Sequence, residues 1–182
     1  MAYLGSQPNN VRKNIGLYTP SEILQLTKDG NWGGSLEFIK QVDVSSSSTC
    51  VITDIKEDIY DVHYFTFTLT GSHQDHTLFI NFSEDGGSSY VTSNYSYSKN
   101  YGQTNGTFNQ ATNASTSYIQ LAQSVDSNLG CYNYGYFYFL GNASRKSYYS
   151  GFSVFERSGD SGVKRFEFGG GNQFDDKSID AI

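Results

Sequence analysis

The stretch DVHYFTFTLT, residues 61–70, alternates strictly with a period of two. In an extended chain Phe65, Phe67 and Leu69 fall on one side and Thr66, Thr68 and Thr70 on the other. A helix would scatter these residues around its circumference, so the run predicts a half-buried β-strand. The same period begins in SLEFIKQV (35–42), continues in CVITDI (50–55) and returns in TLFINF (77–82), where Leu78, Ile80 and Phe82 share a face. YIQLAQ, YNYGYFYFL, GFSVFER and VKRFEF follow, separated by turn clusters such as SVDSNLG, GNASRKS and RSGDSG. Roughly eight or nine short strands with no helix between them predict an all-β protein, an antiparallel β-sandwich or jelly roll.

The first 33 residues break this pattern. Residues 1–18 carry no clear period and read as an extended arm. TPSEILQLTKDG then reads as a short helix: Thr19 is the N-cap, Pro20 the first helical residue, and Glu22 completes a T-x-x-E capping box. Tyr18 and Ile23 are spaced for a hydrophobic staple, and Lys28 and Gly30 suit the helix end. Thus 1–33 is expected as an N-terminal arm with one helix, and 34–182 as the sandwich. The apolar residues of the arm, with Leu17, Tyr18, Ile23 and Leu24 as its candidate anchor, must bury against the sandwich, a sister subunit or another protein.

Composition excludes two partners. The chain has 12 Lys and Arg against 18 Asp and Glu, a net charge of −6, and no basic stripe, so nucleic acid is not an expected partner. No run approaches the ~20 apolar residues of a membrane helix, so membrane insertion is not expected either. MAYLGSQPNNVRKN lacks the apolar core of a secretory signal. The chain has two cysteines, Cys50 and Cys131, which are far apart and without metal or redox spacing; two buried free thiols are expected ahead of a disulfide.

Three groups of residues are candidates for chemistry or contact. SEDGGSSY (83–90) fits S-x-D-x-G-x-[ST]-[WY], with Ser83, Asp85, Gly87, Ser89 and Tyr90 in the required places. The physics is that of a hairpin turn: Asp85 accepts from turn amides, Gly86 or Gly87 supplies positive φ, and Tyr90 packs beneath. This is the Asp-box turn, a structural device, and it takes precedence over a calcium site at Glu84 and Asp85. His73, Asp75 and His76 in GSHQDHT are the best metal candidate, since three possible ligands sit in one connection; the competing reading is a polar strand tip. His63, inside a strand, reads as a hydrogen-bonded sheet residue rather than a catalytic base. In YNYGYFYFL, Tyr132, Tyr134, Tyr136 and Tyr138 share one face, opposite Phe137 and Phe139. That tyrosine face meets either a neighbouring subunit or more of the same chain. Residues 91–116, rich in Ser, Asn, Tyr and Thr, read as a long polar loop with a short edge strand at SNYSYS.

No G-x-S-x-G, HExxH or phosphate-binding loop occurs, and no cofactor is implied. The carboxylates of Glu57, Asp58, Asp61, Glu84, Asp85, Asp175 and Asp176 lie in connections. Glycan cleavage needs two carboxyl groups about 5–10 Å apart, which spacing along the chain does not supply. An enzyme is therefore not the expected function.

The ordered series MAYLG, WGGSLEFIKQ, ITDIKEDIYDVHYFTFTL, INFSEDGGSSY, YFYFLGN and FEFGGG resembles small virion proteins of tailed bacteriophages, of the kind found in marine and cyanobacterial phages. The resemblance spans about residues 34–182 and, more loosely, the arm. It implies a jelly-roll domain of a tail fibre or related appendage, assembled in the host cytoplasm into the virion. It also implies a homo-oligomer, by expectation a trimer, that contacts other tail or capsid proteins and a host-surface glycan. A capsid decoration protein and a carbohydrate-binding module are the alternatives. Domains of this kind usually continue past a strand like SIDAI, where this chain ends.

Overall fold

The computed structural model describes residues 19–28, 36–70, 75–126, 130–159 and 162–182, with backbone alone at 23 and 26–28. By internal contacts the chain divides into two units, Met1–Ile39 and Lys40–Ile182, a boundary six residues beyond the expected one.

In the first unit the described element is the helix α1, Pro20–Lys28. Its capping box forms as the sequence predicts: the Glu22 carboxylate accepts from Thr19 N at 2.8 Å, and Glu22 N donates to Thr19 Oγ1 at 3.3 Å. Leu24 is exposed. Leu17, Tyr18, Gly30 and the Ile23 side chain lie outside the described residues, so the staple and most of the candidate anchor do too.

The second unit is an all-β antiparallel sandwich of eight strands. They are β1 (Val62–Leu69), β2 (His76–Ile80), β3 (Tyr95–Gln103), β4 (Phe108–Thr116), β5 (Ile119–Val125), β6 (Cys131–Tyr138), β7 (Tyr148–Glu156) and β8 (Lys164–Gln173). Six form one sheet in the order β1-β6-β7-β8-β3-β4, and β2 pairs with β5 in the other. The meander β6-β7-β8 is its centre, and β1 and β4 are its edges.

The core lies between the sheets. Phe137 and Tyr149 of the large sheet pack with Ile80 and Phe82 from the β2 side and with Ile119 and Leu121 of β5. Phe65 and Phe137 rings lie 4.8 Å apart and Phe137 and Tyr149 rings 5.5 Å apart, the tilted geometry aromatic pairs favour. Buried Tyr95 keeps its hydroxyl satisfied by accepting from Phe82 N at 2.8 Å.

Three segments depart from the sequence reading. The described part of SLEFIKQV, residues 36–42, makes no strand, and Leu36 and Phe38 stay exposed. CVITDI makes no strand either: it pairs with the chain's last residues through a Thr53–Ala181 bridge, and Ile52 and Ile182 exchange hydrogen bonds of 2.8 and 3.0 Å. The apolar alternation was real, since Ile55 is buried, but backbone partners rather than side-chain pattern decide whether a ladder forms. The polar stretch 91–116 corrects in the opposite sense. It is not a loop but the β3–β4 hairpin, closed by Gln103 N donating to Thr107 O at 2.8 Å with Gly106 at φ +89°. β3 is an inner strand between β8 and β4; its inward residues Tyr95, Tyr97 and Lys99 are aromatic or long enough to reach the core. β4 is exposed along most of its length and therefore needs no apolar residues.

Candidate functional site

The antiparallel register aligns the outward residues of the large sheet in rows that run across it. From β1 to β4 the first row is Thr68, Tyr132, Val154, Phe166, Gly102, Phe108, and the second is Thr66, Tyr134, Phe152, Phe168, Asn100, Gln110. The third is Tyr64, Tyr136, Ser150, Gly170, Ser98, Thr112, and the fourth Val62, Tyr138, Tyr148, Asn172, Ser96. No residue in these rows is charged. Beyond the first row, Glu156 and Lys164 face each other in register and form an ion pair.

This face is solvent-exposed. Tyr64, Tyr132, Tyr134, Tyr136, Phe166, Phe168 and Phe108 range from 39% exposed at Tyr136 to 67% at Phe108. The rings are cross-strand neighbours: Tyr64–Tyr136 at 5.1 Å, Tyr134–Phe152 at 5.6 Å and Phe152–Phe166 at 6.4 Å between centroids. Tyr132, Tyr134 and Tyr136 thus lie on the exposed side of a central strand, and none of the described residues covers that side. Tyr138, half-buried, shares a hydrogen bond with Ser150 at 3.3 Å. Phe139 leaves the strand, at φ +60° and beneath the Arg145 guanidinium.

The sequence reading missed the other contributors, Tyr64, Phe108, Phe152, Phe166 and Phe168. Their signal was present in the alternations GFSVF and RFEF, but which side of an alternation faces out depends on the neighbouring strands.

In the corner opposite the tyrosines the aromatics give way to a shallow, open depression of about 440 Å³, lined by Ser96, Ser98, Thr112, Tyr148, Gly170 and Asn172 among others. Its floor is low for a structural reason. A Cβ on Gly170 would stand 2.2 Å from the Tyr149 carbonyl oxygen. The strands approach too closely there for side chains.

The inner face carries charge that the sequence did not reveal. Glu167, 2% exposed, accepts from Lys99 Nζ at 2.6 Å and from the Arg165 guanidinium at 3.1 Å. Arg165 also donates to Gln123 O at 3.3 Å and stacks 4.1 Å over the Tyr101 ring. Burial pushes the Lys99 amine below its usual range, and the Glu167 charge opposes that shift. Beside this group, Asn133 donates to Ser153 Oγ at 2.5 Å and to Tyr149 Oη at 3.3 Å. Burial raises the Tyr149 hydroxyl to about 12.

The remaining sequence candidates have structural partners or fall outside the description. In SEDGGSSY, Ser83 Oγ donates to Asp85 Oδ1 at 2.9 Å and accepts from Gly87 N at 2.9 Å. Asp85 accepts from Ser89 N at 2.8 Å and Ser89 Oγ at 2.6 Å, which hold its carboxyl below the usual range. Gly86 and Gly87 sit at φ +69° and +83°, and the Tyr90 hydroxyl lies under Gly87. The turn is not a hairpin between paired strands. It carries the chain from the β2 sheet to the β3 sheet, closed by Val91 N donating to Phe82 O at 2.9 Å and tied to the C-terminal segment through Asp180.

Of the histidine candidates, His73 lies outside the described residues. Asp75 takes φ +63° and His76 opens β2; among the described residues no three His, Cys, Asp or Glu side chains converge to hold a metal. His63 is buried with Nε2 2.9 Å from Ile55 O, and burial lowers its pKa. Glu84 pairs with Lys177 at 2.9 Å, and Asp175 accepts from Asn94 and Gln173. Both cysteines are free, but Cys50 is exposed rather than buried, while burial raises the Cys131 thiol to about 12. No helix is long and apolar enough to cross a membrane among the described residues. No protein-family model, curated protein or solved structure matches this chain.

Proposed function

We propose that the chain is a non-enzymatic structural protein of a tailed-phage virion, a tail-fibre or related appendage component that works by assembly and host-surface attachment. The sequence series quoted above supplies the phage context. The observation that carries the mechanism is the outer face of the large sheet, an exposed aromatic surface without charge.

Contiguous apolar surface of this kind is unusual on a free-standing soluble monomer and marks an interaction site. The occupant that fits it is a second copy of the same chain. The chain carries a net charge of −6, so copies repel except where their contact surfaces are uncharged. Tyrosine and phenylalanine rings, amphipathic and stiff, are the side chains that interfaces favour. A closed homotrimer buries this face between subunits and leaves the sheet edges and the connecting loops outward, to meet other virion proteins or the host.

Light scattering of the purified chain over a range of concentrations tests this. The expected mass is about three times that of one chain, falling to one chain in the double variant Tyr134→Asp, Phe168→Asp. A monomer at every concentration overturns the self-assembly reading.

A further inference from the structure

On the inner side of the large sheet lies a second, much smaller cavity of about 10 Å³, lined by Lys99, Gln120, Tyr149, Ser153 and Glu167 among others. We propose that it is the binding site of one structural water, which bridges Lys99 and Gln120 and so ties the two sheets together.

Glycines make the space. On the inner face Gly135, Gly151, Gly169 and Lys99 stand side by side across β6, β7, β8 and β3. The Tyr149 ring lies over the first two, and a Cβ on Gly135 would stand 2.5 Å from it. A Cβ on Gly169 would stand 2.6 Å from Lys99 Cβ. The glycine lane thus holds the Tyr149 ring and the Lys99 chain, and Gln120 and Leu121 of β5 line the space that remains.

Most polar groups around that space already have partners. Asn133 bonds the Tyr149 and Ser153 hydroxyls, and Ser153 Oγ donates to Leu121 O at 3.2 Å. Glu167 holds the Arg165 guanidinium on one oxygen and the Lys99 amine on the other. Two groups are left, one of each kind. The Lys99 amine has three N–H donors, and among the described residues Glu167 is its one acceptor. Gln120 is 7% exposed, and no donor among the described residues reaches its buried Oε1. A spare donor and a spare acceptor, from opposite sheets and too far apart to bond directly, line the same small cavity.

That pair selects the ligand. The volume matches one water molecule, which needs about 10–15 Å³ and two or more polar partners. A water accepts from Lys99, donates to Gln120 Oε1 and keeps a second hydrogen for the Glu167 carboxylate. A chloride ion would face that carboxylate and the Gln120 carbonyl, and a metal cation would face Lys99 and Arg165. An apolar guest would leave both spare groups unpaired. Because Gln120 belongs to the small sheet and Lys99 to the large one, the water is a cross-sheet tie beside the Ser153–Leu121 bond.

Two measurements on the full chain test this: a high-resolution crystal structure from bromide solution, and oxygen-17 relaxation dispersion, which detects long-lived internal water. The crystal should show a density peak within hydrogen-bond distance of Lys99 Nζ and Gln120 Oε1, without the anomalous signal of bromide. The dispersion should lose the amplitude of one water per chain in Gln120→Met, whose flexible side chain fills the gap and lacks the acceptor. An empty cavity, an anomalous bromide peak or an unchanged amplitude in the variant overturns the proposal. Should the variant not fold, the wild-type density alone decides. The amplitude is counted per chain, so a monomer and a trimer give the same answer.

Discussion

The two faces of the large sheet are built from the same residue types and reach opposite ends. Inward, Phe65, Phe137 and Tyr149 are covered by the β2–β5 sheet and form a core. Outward, Tyr134, Phe152 and Phe168 form an equally aromatic surface that nothing in the described chain covers. The polar residues invert the usual arrangement as well. β8 turns Arg165 and Glu167 inward and Phe166 and Phe168 outward. Hydrophobicity alone would reverse that strand. The inversion is tolerable because Glu167 has two cationic partners inside, and because charge kept off the outer face suits a surface that meets another apolar one. Aromatic content therefore does not distinguish core from contact surface in this protein; the presence of a covering layer does.

The sharpest way to break the comparison is to remove matched groups from each face. Glu167→Ala leaves Lys99 and Arg165 buried without their counter-ion, and should destabilise the chain by about 3–5 kcal/mol in urea denaturation. Phe137→Ala, which opens a cavity among Phe65, Phe82 and Tyr149, should cost about 3–5 kcal/mol as well. The outward counterpart Phe168→Ala should change the stability of the dilute monomer by no more than about 0.5–1 kcal/mol. A large monomer penalty at Phe168 would mean that the outer face is part of the fold rather than a contact surface.

A smaller effect sharpens the role of the turn. The Asp85 carboxyl is held below its ordinary value by Ser89 and Ser83, so the folded state prefers its ionised form. The stabilisation is then fully present above the unfolded pKa of about 3.9 and is lost as pH falls through the depressed folded value. The melting temperature should fall over that acid window, and Asp85→Asn should flatten this part of the profile. An unaltered acid profile in that variant would show that the turn holds without the charge.

The period-two alternation of residues 61–70 and 77–82, and the spacing of Thr19, Pro20 and Glu22, determined a β-sandwich and a capped helix, because periodicity and capping are local properties. The turn at Ser83–Tyr90 was legible for the same reason, since the side-chain hydrogen bonds among Ser83, Asp85, Gly87 and Ser89 span four residues or fewer; its ties to Asp180 and Ala181 were not. What the tertiary structure alone decided is which segments pair and which face is covered. Residues 36–42 alternate yet find no partner strand among the described residues, whereas the polar residues 95–116 become a hairpin because β8 offers an edge for β3. Tyr132, Tyr134 and Tyr136 were visible as one face, but Phe166 and Phe168 joined it only through the β7–β8 register. The Lys99–Glu167–Arg165 group joins residues as much as 68 positions apart, and the hollow joins Ser96 and Asn172, 76 positions apart. Alternation states which residues share a side of a strand; only the packing of the second sheet states which side is inside.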